Sequence, residues 1–96
     1  MLDLESISDI VQEVTGRNFP SKAVEMIDTQ STTDSEGRDA LRITIVLAPG
    51  VAGKLKGDAV LDTLVEIQDR LRDAGEERFP IIEYATEDEL TTSGYS

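Results

Sequence analysis

The stretch 41–55, LRITIVLAPGVAGKL, decides how the chain is read. Leu41, Ile43, Ile45 and Leu47 alternate with Arg42, Thr44 and Val46. That two-residue period predicts a strand with one wholly apolar face and one mixed face. Pro49-Gly50 ends it. The mixed face is expected to be wet or to meet a partner.

The outline of a strand, a glycine turn with a lysine, and a helix invites comparison with a phosphate-binding loop. Such a loop needs a first glycine, four residues, Gly-Lys, then Ser or Thr. Backbone amides there cradle phosphate and the hydroxyl holds magnesium. Counting back from Gly53-Lys54 puts Ala48 at the first glycine, and Leu55 occupies the hydroxyl position. Two of the four fixed positions fail, so nucleotide binding is not expected.

Working outward, Leu4, Ile7, Val11 and Val14 recur at helical spacing, with Ile10 widening the stripe. Asp3 or Ser6 can cap this helix, and Gly16 sits where it is expected to end, giving helix one at 3–15. Pro20 biases Phe19 toward an extended backbone. Strand one is predicted at 22–30, although adjacent Met26 and Ile27 break its alternation. STTDSEGRD reads as the loop of a hairpin, with Gly37 free to take a positive φ. Helix two runs from 52 or 58 to 74, on a stripe of Val60, Leu64, Ile67, Leu71 and Ala74 with Leu61 beside it. Asp58 is its candidate N-cap and Gly75 its C′ residue. Glu66 before Arg70 and Asp69 before Arg72 predict an exposed, salt-bridged face. IIEYA supplies strand three at 80–85.

Each helix is followed by Gly, Arg and Phe-Pro before a strand: Gly16, Arg17, Phe19-Pro20, and Gly75, Arg78, Phe79-Pro80. Each Phe is expected to anchor its corner in the core, and each Pro to open a strand.

The predicted fold class is therefore α+β: a small two-layer domain in the order α-β-β-α-β, with a three-stranded mixed sheet and two helices on one face. Strands two and three, joined by a helix, should be parallel. Strand three lies beside strand two, or beside strand one as in split βαβ units. Residues 1–86 form the single domain, and 87–96 a flexible acidic and polar C-terminal tail. In a chain of 96 residues, Leu, Ile, Val and Phe number 26, enough for one modest core.

Composition removes whole classes of chemistry. The chain has no cysteine and no histidine. Disulfides, thiolate metal sites and Ser-His-Asp or Cys-His nucleophiles are excluded. The start, MLDLESISDIVQEV, is acidic and amphipathic, unlike a signal peptide. The longest apolar run is too short and too broken to span a bilayer. A cytoplasmic protein is expected.

Net charge is −11. Residues 1–48 carry nine acids and four bases; residues 49–96 carry eleven and five. The excess is spread along the whole chain, which predicts an acidic surface all round. Such a field repels nucleic acid and anionic lipid and favours basic partners. TTDSEGRDALRI places Asp34, Glu36 and Gly37 at calcium-loop positions. Thr32 and Ile43 fail at the first and twelfth places, so no metal site is expected. Glu83 within IIEYA is the one acid in an apolar run, and is expected to face outward. No acid–base pair emerges, and no catalytic residue or cofactor is assigned.

The feature that points to a partner is electrostatic. Glu5, Asp9 and Glu13 stand at successive i, i+4 positions with no base between them. Like charges at that spacing repel, and a basic surface would turn the cost into attraction. The function class expected is a non-enzymatic protein–protein interaction or accessory module, with Glu5, Asp9 and Glu13 as candidate partner-binding residues. An antitoxin-like partner of a basic protein is one form of it. The alternatives are a small-molecule or ion-binding domain, and an enzyme component that completes its site at a dimer interface. The edge strands and the mixed face of strand two also suit a homodimer.

Overall fold

The computed structural model describes residues 2–20, 22–55 and 57–86. The tail predicted at 87–96 lies outside them. The elements are α1 (Leu4–Asn18), β1 (Val24–Thr33), β2 (Asp39–Leu47), a 3-10 turn (Ala52–Lys54), α2 (Gly57–Asp73) and β3 (Phe79–Thr86). They form a small α+β domain in the expected order. The sheet order is β1-β2-β3, with β1 antiparallel and β3 parallel to the central β2. Strand three thus lies beside strand two. No helix among the described residues is long and apolar enough to cross a membrane.

Helix α1 starts where Asp3 accepts a hydrogen bond from the Ser6 amide, 2.7 Å away. The Ser6 side chain first, and then that amide, hold the Asp3 carboxyl below its ordinary range. The helix does not stop at Gly16 but continues to Asn18, with Phe19 as C-cap. A glycine in a helix costs about 1 kcal/mol. The last turn offsets this through Arg17 and Asn18, which both bond Glu66 of α2.

Strand β1 begins at Val24 rather than 22. The Ala23 amide bonds the Pro20 carbonyl, so Pro20 opens a turn and not a strand. Lys22 within that turn has φ 68°. The broken alternation of β1 has a structural cause. A register shift lies between Val24 and Met26, and Val24 and Ile27 both pack on the core although three residues apart. The bulge supplies the extra residue that this odd spacing demands.

The hairpin loop is shorter than the polar stretch suggests, because β1 runs on to Thr33. The Asp34 carboxylate accepts from the amides of Glu36 and Arg38, each 2.9 Å away. Gly37 supplies φ 82°. The acid that falls in a calcium-loop register is engaged with its own turn.

In β2, Leu41, Ile43, Ile45 and Leu47 face the helices. They form the core with Ile7, Val11 and Val14 of α1 and Ile67 and Leu71 of α2. Ile82 and Tyr84 of β3 pack on the same side.

Helix α2 begins at Gly57, so the 3-10 turn stands apart and Asp58 lies in the first helical turn rather than at the cap. Its C-terminus matches expectation. Gly75 has φ 90°, its amide bonds the Arg72 carbonyl, and the Glu76 amide bonds that of Leu71. This is a Schellman closure. The buried line of α2 is Thr63, Ile67 and Leu71, while Ala74 is exposed. Glu66 and Arg70 do not pair with each other. Glu66 binds Arg17 and Arg70 binds Glu13, so both reach across to α1. Asp69 does pair with Arg72, at 3.5 Å.

Thr63 is fully buried, and its hydroxyl has no hydrogen-bond partner among the described residues. Thr63→Val keeps the shape and removes the stranded polar atom. The expected gain is on the order of 1 kcal/mol. The test is the midpoint of denaturant unfolding at constant slope, and a lower midpoint refutes the assignment.

The Phe-Pro echo holds by halves: Phe19 anchors its corner although Pro20 opens a turn, whereas Pro80 lies at the start of β3 although Phe79 is not buried. Phe19 is buried and meets the Tyr84 ring edge-on at 6.3 Å. Phe79 is 61% exposed. It pairs in register with Ala40, whose side of β2 faces away from the helices, so alternation turns Phe79 outward.

One polar cluster closes the end of the domain where α1 begins. Glu76 is buried and bonds Arg78 through both carboxylate oxygens, at 2.9 and 3.0 Å. Glu76 also accepts from the Leu2 amide at 2.9 Å. Arg78 donates to the Leu2 carbonyl at 2.7 Å and to the Ser31 hydroxyl at 3.1 Å. The residue before α1, the α2–β3 connection and β1 are thereby tied at one point. Hydrogen bonds from Arg78 pull the Glu76 carboxyl down to about 2, against the opposing effect of burial.

Candidate functional site

The three acids expected to form one stripe on α1 have different surroundings. Glu13 is bridged to Arg70 of α2 at 3.0 Å, and that hydrogen bond holds its carboxyl below the ordinary range. Glu5 and Asp9 are exposed and have no hydrogen-bond or ion-pair partner among the described residues. The base that compensates Glu13 comes from the other helix, which spacing along α1 could not reveal.

Helix α2 extends the acidic surface. Asp58, Asp62 and Asp73 are exposed and likewise without such a partner. The bases on the same layer are all engaged: Arg17 with Glu66, Arg70 with Glu13, and Arg72 with Asp69. The outer surface of the helical layer is therefore a field of uncompensated carboxylates.

The opposite side of the sheet differs. Asp28, Arg42 and Glu83 lie there by strand pairing. Arg42 bonds Glu83 through Nε and a terminal nitrogen at 3.3 and 3.2 Å. Asp28 accepts from Gln30 at 3.0 Å. Glu83 faces outward, away from the helices. No described element covers this face, and Met26 and Phe79 stand on it 52% and 61% exposed. The even spread of charge along the sequence thus becomes an uneven one in space. The helical layer is strongly acidic, while on the sheet face Arg42 offsets part of the charge of Asp28 and Glu83.

Shallow grooves interrupt the surface of the described residues. One, of about 460 Å³, lies between α1 and the start of β1 and is lined by Ser8, Gln12, Thr15 and Lys22. Another, of about 530 Å³, lies where the end of α2 meets the start of β3, and includes Gln68, Arg72, Phe79 and Pro80. The carboxyls with displaced affinities, Asp3, Glu13 and Glu76, are all shifted downward by hydrogen-bond donors. That is the direction of carboxylates held as anions, opposite to that of an acid poised to give a proton near neutrality. Among the described residues no three acidic, histidine or cysteine side chains gather closely enough to hold a metal ion. Residues 48–55 form a turn and a 3-10 segment, with Val51 bonded to Ala48 and Lys54 to Val51.

No family model matches the chain, and no curated protein matches it. Among solved structures the chain is similar to the metal-bound C-terminal domain of the CzcD transporter from Cuprividus metallidurans. The identity is 15%, over 86% of this chain and 97% of that one, with a TM-score of 0.46. A likeness of that degree carries no functional weight.

Proposed function

We propose that this domain is a non-enzymatic interaction module that docks a basic protein on the outer surface of its helical layer. The observation that supports the reading is the set of exposed carboxylates without bridging bases, Glu5 and Asp9 on α1 and Asp58, Asp62 and Asp73 on α2. Glu5 and Asp58 gain from the first-turn dipole of their helices, but no base of the described residues bridges any of the five, and together they repel one another. A basic partner would relieve that repulsion, and the field would speed encounter. An antitoxin-like role against a basic toxin is one form of this activity, and a cytoplasmic setting fits it.

The test is affinity capture from the native host, with crosslinking and identification of what is retained. A basic protein should be held at low salt and released by high salt, since exposed charges are screened within about 10 Å at 0.1 M. Reversing Asp58 and Asp62 together to lysine should weaken retention about tenfold or more, because each rim charge acts on encounter and its salt dependence. Retention that ignores both salt and the reversal defeats the proposal.

A further inference from the structure

The two edges of the sheet are unequally protected. β1 carries a bulge between Val24 and Met26 and the acids Glu25 and Asp28, devices that discourage a strand from pairing with a neighbour. β3 pairs without a register shift, and Pro80 stands only at its second position. No described strand pairs with its far edge. Its sequence, FPIIEYAT, is aromatic and β-branched, and its single charge, Glu83, is bridged to Arg42. In a chain of net charge −11, a strand whose one charge is bridged sets little repulsion of its own between two copies.

The helix above that edge is self-complementary. Gln68 and Arg72 share a groove with Phe79 and Pro80, so this flank of α2 stands over the β3 edge. Helical spacing puts Val65, Leu61 and Asp58 on the same flank. Leu61 is 61% exposed and Val65 53%. Read along α2, the flank is acid, apolar, apolar, polar, base, with Val65 midway between Asp58 and Arg72. α2 is the crossover helix between parallel β2 and β3, so it runs against β3 in direction. A two-fold axis at the β3 edge therefore sets α2 antiparallel to its copy. Val65 then meets Val65, and Asp58 of each copy lies near Arg72 of the other, whose bridge to Asp69 on its own helix is long, 3.5 Å, and exposed.

We propose that the chain self-associates through β3, two copies pairing antiparallel about a two-fold axis to give a continuous six-stranded sheet with the α2 helices packed across the axis. Glu5 and Asp9 of α1 and Asp62 and Asp73 of α2 remain open in this arrangement, and Asp58 is the one acid it shares with the basic-partner reading, so Val65 rather than Asp58 separates the two. The occupant of the edge is a second copy because the flank offers both signs of charge in mirror order. A uniformly basic partner would leave Arg72 opposed.

The experiment is sedimentation equilibrium of the full chain across a concentration series. The wild type should approach twice the 10.5 kDa monomer mass. Val65→Asp places two acids face to face on the axis and should raise the dissociation constant at least tenfold. Val65 is half exposed, so its folding is expected to be unaffected, and circular dichroism checks this. Asp58→Arg should also weaken the dimer, and Asp58→Arg with Arg72→Asp should restore it, which a merely structural defect would not do. Met26→Asp, on the bare sheet face, should leave the dimer intact. A wild type monomeric at every concentration overturns the proposal. So does a dimer that survives Val65→Asp, or one abolished by Met26→Asp, which would assign the contact to the sheet face.

Discussion

Glu76→Gln is expected to cost the fold roughly 3–5 kcal/mol, the range for breaking a buried ion pair by removing one partner. The reason is what remains. Arg78 keeps its charge, with only 9% of its side chain exposed, and loses the carboxylate that faces it. The Leu2 amide keeps a polar partner in the glutamine oxygen, so the loss falls mainly on the guanidinium. A domain of this size has about 5–15 kcal/mol in total, so the variant should be partly unfolded at moderate temperature. Arg78→Met should be similarly harmful, because it strands the Glu76 carboxylate. The double variant Glu76→Gln with Arg78→Met removes both charges and should lose much less than the two singles summed. A double-mutant cycle from denaturant midpoints measures that coupling. Additive losses, or a Glu76→Gln variant within 1 kcal/mol of wild type by the same criterion, refute the cluster as a structural clasp.

The same residue predicts a pH dependence of known sign. In the folded state the Glu76 carboxyl sits at about 2 against an ordinary 4.5. The unfolded chain therefore binds the proton first as acid is added. The stability it contributes is complete above about pH 4.5 and disappears as pH falls toward 2. Protonating the exposed carboxylates of so acidic a chain relieves repulsion and works the other way. The difference between the wild-type and Glu76→Gln curves isolates the residue. That difference should be flat above pH 5 and shrink below 4.5.

The order of elements and the inward face of β2 were legible because a two-residue and a 3.6-residue apolar period are local properties. Ends of elements were less so. Gly16 and Pro20 carry their usual signals, but contacts of Arg17 and Asn18 with Glu66 overrode the first, and a turn closed on Ala23 displaced the strand start expected after the second. The Glu76–Arg78 clasp had no signal at all. Glu76 and Glu77 are equivalent in the string GEERFP, and what singles out Glu76 is Leu2, 74 residues away. The candidate acids were legible as a helical spacing. The loss of Glu13 to Arg70 and the gain of Asp58, Asp62 and Asp73 were not, because both depend on which helix lies beside which. The pairing of Arg42 with Glu83 on the bare sheet face belongs to the same class: it follows from the register of β2 with β3, which sets the residues that share a side.

The second large effect is expected at Ile43, where the paired face of β2 can be tested one residue at a time. Ile43 is fully buried in the middle of the central strand, and its face is covered by both helices. Ile43→Ala removes three carbons from a site that strands on both sides and helices above prevent from collapsing. Losses of about 2–5 kcal/mol accompany such cavities, rising with how little the surroundings relax. Thr44 is the next residue and points to the other side, where no described element covers it. Thr44→Ala should cost under about 1 kcal/mol, mostly in strand propensity. The ratio between neighbours matters more than either value, because slipping the β2 register by one residue would exchange the two roles. Urea midpoints for the pair decide it. Comparable losses at 43 and 44 would mean that both faces of β2 are packed in solution. Within this fold that requires a cover on the bare face, and then the dimer contact belongs there and not at the edge of β3.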